Sequence, residues 1–167
     1  MEQMIARPSL SFTEALSKAS NDIFKINGRS RRSEFWWTIL VVYITNVFFT
    51  PFLGSILSLL TIPLKIRRLH DVGKSGWWWG VGAILQGAFL FMVIYEAIMT
   101  FAFHAHGGFE QRTFWMFVLK WLALWGIVLI YKFVLIVFYC MDSQPFTNKY
   151  GDSPKYAFQD PYQQGRA

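Results

Sequence analysis

His70 followed directly by Asp71 sets an imidazole beside a carboxylate, the combination that fixes a tautomer for general-base work. Neighbours on a helix point about 100° apart, so the two side chains diverge. No Ser or Cys stands at a spacing that ties a nucleophile to them, and catalysis is not expected. Gly73-Lys74-Ser75 ends like a phosphate-binding loop, but that pattern needs Gly five positions before Gly73, where Arg68 stands, and no apolar strand leads in. The stretch from Asp71 to Gly76 reads better as a turn ahead of Trp77, Trp78 and Trp79. Two cation clusters remain: Arg29, Arg31 and Arg32 near Glu34, and Arg67, Arg68, His70 and Lys74 around Asp71. Converging guanidinium forks suit a phosphate or an anionic lipid headgroup. They suit equally a set of ion pairs, Arg31 or Arg32 with Glu34 and Arg68 with Asp71, that fix helix bases. His104 and His106, with Glu110 nearby, fall short of the three or four ligands of a usual metal site, so no metal or cofactor is expected.

The elements that must position these groups belong in a bilayer. The chain has 167 residues, 54% hydrophobic, 19% aromatic and 16% charged, where an ordinary soluble domain carries about 25% charge. Its mean hydropathy is +0.31. Disorder, collagen and disulfide scaffolds are excluded; Cys140 is the single cysteine. Nine charges between Met1 and Ser33 argue against a cleavable leader. Thirty uncharged residues separate Glu34 from Lys65, too long for one span and short for two. Thr50-Pro51-Phe52-Leu53-Gly54 breaks that run, which predicts a tight hairpin of helices at 35–50 and 54–68. Trp77–Phe103 and Phe114–Met141 predict two more spans, turning at His104 to Gly108. With four spans and both termini inside, thirteen of the sixteen Lys and Arg face the cytoplasm, as the positive-inside rule requires. The basic surplus is therefore orientation and attraction to anionic lipid, not a nucleic-acid footprint.

Within this frame Ser11 and Glu14 form a capping-box pattern ahead of Phe12, Ala15, Leu16, Ala19 and Ile23 at helical spacing. That predicts an amphipathic helix, lying on the inner surface or packed on other cytoplasmic segments. Gly76, Gly80, Ala83 and Gly87 make a small-residue stripe for helix packing, within the chain or between two copies. Glu96 and Lys120 each stand twelve residues from Gly108, so an antiparallel hairpin centred there brings them to similar depth for pairing or snorkelling. Lys132 is expected to snorkel toward the inner surface.

Three segments stand out together: Asn27-Gly28-Arg29-Ser30-Arg31-Arg32-Ser33-Glu34-Phe35-Trp36-Trp37, Arg67-Arg68-Leu69-His70-Asp71-Val72-Gly73-Lys74-Ser75-Gly76-Trp77-Trp78, and Asn148-Lys149-Tyr150-Gly151-Asp152-Ser153-Pro154. In this order the chain resembles the bacterial inner-membrane family called domain of unknown function 805, typified by YhaH-like proteins, from about residue 20 to 155. The resemblance implies a small polytopic protein of the cytoplasmic membrane with no established activity, cofactor or substrate. It adds Asn148, Tyr150 and Asp152 to the cytoplasmic cluster.

The expected fold class is all-α, with four transmembrane helices as two hairpins. A cytoplasmic arm occupies residues 1–34, the membrane domain 35–141 and a cytoplasmic tail 142–167. The expected function is non-enzymatic: lipid binding or membrane assembly through the basic motif cluster. Its expected partners are anionic lipids, further copies of the chain or other membrane proteins. The alternative is a transporter or channel subunit that works as an oligomer and uses Glu96 and Lys120, with Asn46 or Gln86, along a path.

Overall fold

The computed structural model describes residues 3–48, 51–105 and 111–159. Among them run β1 (Gln3–Ala6), α1 (Phe12–Asn21), α2 (Arg32–Phe48), α3 (Pro51–Leu60), α4 (Ile62–Asp71), α5 (Trp77–Ala105), α6 (Gln111–Cys140) and β2 (Tyr156–Gln159). The chain divides into two units, one of residues 1–76 and 138–167, the other of residues 77–137.

In the first unit the predicted capping box forms. Ser11 Oγ accepts from the Glu14 amide, and Glu14 Oε2 accepts from the Ser11 amide at 2.8 Å. The Ser11 amide and hydroxyl both donate to the Glu14 carboxylate and hold it below its ordinary range. Ala15 and Ala19 are buried and let α1 lie close on α2, with Phe12 edge-on to Trp37 at 5.5 Å. The helix is thus packed on its neighbour. Phe35 and Tyr139, with ring centroids 4.6 Å apart, anchor the core together with Leu64, Leu69 and Val72.

The hairpin predicted at 35–50 and 54–68 is corrected in its second half. α2 forms as expected, but the partner helix is broken at Thr61 into α3 and α4. Pro63 explains the break: in the first turn of α4 its missing N–H costs nothing, whereas in a continuous helix it would remove a bond and clash. Gly54 permits the close approach of α3 to α2, since a Cβ there would stand 2.2 Å from the Asn46 side chain. Asn46 also donates to the Val42 carbonyl at 2.9 Å, so it is used in packing.

The strands β1 and β2 pair antiparallel, Met4 with Phe158 and Ala6 with Tyr156. This ribbon adds a short two-stranded sheet to a mostly helical fold, and it ties both ends of the described chain together.

In the second unit α5 and α6 contain the segments long and apolar enough to cross a membrane, Trp77–Ala102 and Val118–Cys140. α2, at seventeen residues, rises only about 25 Å, and α3 and α4 are shorter still. Among the described residues two helices are therefore long and apolar enough to cross a membrane, where four spans are expected from the sequence. The close approach in this unit is made at Gly82, where a Cβ would meet Tyr131 at 3.1 Å. Tyr131 also donates its hydroxyl to the Trp78 carbonyl at 2.7 Å. Of the predicted stripe, Gly76 is the tight position, where a Cβ would stand 2.8 Å from Ile66 in the first unit; a Cβ on Gly80 would meet only Trp77, Gly87 faces open space and Ala83 is exposed.

Candidate functional site

The three motifs converge in the first unit on Asp71, whose carboxylate is fully buried. α4 presents it at its last turn, and Gly73 ends that helix at φ 75°, with the Lys74 amide reaching back to the Leu69 carbonyl at 2.9 Å. The Gly73-Lys74-Ser75 segment is thus a helix C-cap, the opposite context from a phosphate loop. A Cβ on Gly73 would also stand 2.4 Å from the Gln144 side chain.

Asp71 Oδ1 accepts from Arg29 Nε at 3.0 Å, while Oδ2 accepts from Arg68 Nη1 and from Ser143 Oγ at 2.5 Å. Arg29 goes further. Its Nη1 donates to the carbonyls of Phe146 and Gly151, and its Nη2 to those of Asp71 and Gln144. All five of its N–H donors therefore have an acceptor. Arg68 likewise donates to the carbonyls of Ser30, Tyr139 and Met141. Two guanidinium groups thus bind the irregular segment after α6 to the first two motifs, with one buried carboxylate between them.

His70 joins the same three segments by its ring. Nδ1 lies 3.2 Å from the Gly28 carbonyl, an acceptor, which assigns the proton to Nδ1, and the ring stacks on Tyr150 at 3.6 Å. Asn148 donates to the His70 carbonyl at 3.0 Å and accepts from the Tyr150 amide. Burial depresses the imidazole pKa most, with Lys149 adding to the fall and the Gly28 carbonyl opposing it. A base whose folded pKa lies below its unfolded value stabilises the fold fully above about pH 6.5 and loses that contribution as pH falls toward the folded value. The melting temperature in detergent is accordingly expected to decline between about pH 7.5 and 5.5, and to decline less steeply in His70→Gln. Equal slopes would remove His70 as the cause.

The other predicted residues fall outside this clasp. Glu34, fully buried, lies 3.0 Å from Lys18 Nζ and 3.3 Å from Arg67 Nη2, not against Arg31 or Arg32 as expected. Neither Glu34 oxygen attains hydrogen-bond geometry, so these are charge contacts alone. Arg67 pairs with Asp22 at 2.9 Å. Arg31 donates to the Pro8 and Arg7 carbonyls, and Arg32 meets Asp142 at 3.1 Å. Lys74 stands over the Phe138 ring, and Asp152 accepts from Thr147. Lys132 and Lys120 are exposed and Glu96 is half-buried; no ion pair joins Glu96 to Lys120 among the described residues. His106 and Glu110 lie outside the described residues. Asp22, Asp142, Ser143 and Gln144 carry no pattern in the sequence that marks them, and Lys18, a cation of the amphipathic helix suited to face anionic headgroups, instead meets Glu34.

The sequence profile of the family described as "Protein of unknown function (DUF805)" matches residues 45–152. The chain belongs to this family. Its similarity extends to the inner membrane protein YhaI of Escherichia coli strain K12, 26% identical over 144 residues, covering 78% of this chain and 86% of the relative. The YhaI protein of Escherichia coli O157:H7 matches to the same extent. No solved structure matches. The family match takes in the second and third motifs and therefore most of the Asp71 clasp.

Proposed function

We propose that this family member is a non-enzymatic, multi-pass protein of the bacterial inner membrane that binds anionic lipid at the cytoplasmic surface through a rigid basic cap. The observation that carries this reading is the engagement of Arg29 and Arg68 by carboxylate and carbonyl acceptors inside the fold. With those groups committed inside, and with His70 held by Gly28 and Tyr150, no acid, base and nucleophile stand together for chemistry among the described residues. Lipid attraction falls to the exposed cations Lys25, Arg32 and Lys149, the first two sharing their charge with Asp22 and Asp142 in solvent-exposed pairs. α2 and α3 expose Tyr43, Phe48, Phe52 and Leu59, consistent with a hairpin that enters the bilayer from the cap side. Both termini are then cytoplasmic, as the Lys and Arg distribution favours. The relatives named as inner membrane proteins support the same location.

The test is the lipid retained by purified protein after detergent exchange. In the Lys25→Gln, Arg32→Gln, Lys149→Gln triple variant, the ratio of anionic to zwitterionic phospholipid should fall several-fold with no change in melting temperature. An unchanged ratio overturns the reading.

A further inference from the structure

The segment that joins α1 to α2 presents a surface of another kind. Phe24 is 83% exposed, the highest value of any described large apolar side chain, and Ile26 is 52% exposed with Lys25 between them. This exposure is built into the fold, because both ends of the segment are fixed. Asp22 closes α1, its amide reaching the Lys18 carbonyl and its carboxylate pairing with Arg67 at 2.9 Å. The Lys25 amide donates to the Asp22 carbonyl at 3.0 Å and closes a turn. Gly28, at φ 98°, then redirects the chain and gives its carbonyl to His70 Nδ1. Ile23 turns inward, lining a cleft with Val41, Val42, Leu57 and Leu60. The tip therefore stands where the charged bases of α2 and α4 give way to apolar helix. Phe146 and Phe158, also exposed on this unit, cover part of each other by stacking at 6.3 Å, whereas no ring contact engages Phe24 among the described residues.

We propose that Phe24 and Ile26 enter the inner leaflet of the bilayer while Lys25 stands at its anionic phosphates, so that residues 23–27 pin the cap to the membrane surface. Apolar side chains flanking a cation suit this boundary, since the hydrocarbon leaves water and the ammonium stays with the headgroups. The local charge fits an anionic surface. Lys18, Lys25 and Arg67 meet Asp22 and Glu34 here, which leaves one positive charge over, and Lys25 is the most exposed of the five. This inference rests on the proposed lipid-binding role and adds to its cations the apolar part that enters the bilayer.

The experiment uses the full chain in a Cys140→Ser background, reconstituted in vesicles of phosphatidylethanolamine and phosphatidylglycerol. An environment-sensitive fluorophore is attached at Asn27→Cys, an exposed position that leaves Phe24, Lys25 and Ile26 in place, and at Asp152→Cys as the aqueous reference. Phospholipid with a nitroxide near the top of its acyl chain quenches a probe in the leaflet, and iodide on both sides of the vesicle quenches one in water. At position 27 the nitroxide should quench about threefold more strongly, and iodide about threefold less, than at position 152. Phe24→Gln with Ile26→Gln should return the probe to the reference values with no loss in melting temperature. If that pair fails to fold, Phe24→Gln alone carries the same comparison. Iodide access at position 27 equal to that at position 152 overturns the proposal, as does nitroxide quenching that survives the Gln substitutions. A probe shielded from both quenchers overturns it too, because a protein surface then covers the tip. If the tip is inserted while the surface triple variant's headgroup ratio is unchanged, the reading from surface cations fails and the anchor stands; a ratio that falls while the probe stays in water overturns the anchor alone.

Discussion

Asp71→Asn is expected to lower the melting temperature of the detergent-solubilised protein by about 10 °C, the largest effect of any single isosteric change in the first unit. The carboxylate is fully buried between Arg29 and Arg68, both nearly inaccessible, and also accepts from Ser143. Asparagine preserves the shape but removes the one negative charge that balances two guanidinium groups, and it turns an NH2 toward one of them. Breaking a buried pair from one side costs about 3–5 kcal/mol, because a charge is left uncompensated. In a chain of this length each kcal/mol moves the midpoint by roughly 2–4 °C. Asp152→Asn is the control, since that carboxylate is exposed and accepts only from Thr147 among the described contacts. Equal stability of the two variants would remove Asp71 from the centre of the fold.

What could be read in advance was what is local. Ser11 and Glu14 stand three apart and cap a helix, and Arg68 and Asp71 stand three apart and pair, because a helix brings such positions together whatever surrounds it. The gathering of the three motifs on one carboxylate was legible in outline, since positive charge had to collect on one side of the membrane. The partners were not. Arg29 and Asp71 are forty-two residues apart, and most acceptors of Arg29 and Arg68 are backbone carbonyls, which every residue carries and no composition reveals. The ribbon of β1 and β2 is not legible in the sequence because four residues give no measurable alternation. Pro63 was visible, yet the Pro51 break drew the boundary, and the interruption at Thr61 followed from a missing amide that hydropathy does not register. Counting from Gly108 places Glu96 and Lys120 at similar depth, but a loop midpoint does not set the register of two helices.

Arg29→Lys separates the two tasks of the clasp. Lysine keeps a positive charge for Asp71, so the helices of the first unit should hold. Its three donors radiate from one nitrogen and cannot reproduce a fork that reaches Asp71, Gln144, Phe146 and Gly151 together. The segment from Met141 to Lys155 has no regular helix or strand, and the isolated bridge between Asn148 and Gly151 is its only described ladder contact. The carbonyls of Met141, Gln144, Phe146 and Gly151 accept from the Arg29 and Arg68 side chains. Losing the fork should therefore free this segment while leaving α1 to α4 folded: limited proteolysis is expected to cut between residues 141 and 155 about tenfold faster, which corresponds to about 1.4 kcal/mol of lost local protection. Global melting should fall less than in Asp71→Asn. If the segment is cut no faster in Arg29→Lys than in the natural chain, the carbonyl contacts contribute nothing and Arg29 serves only to balance charge. If the whole first unit is cut at once, the tail and the helices form one cooperative block, with the clasp as its hinge to α4. The predicted pattern, a released tail on intact helices, is what a cap must show if the third motif is held against the first two by Arg29.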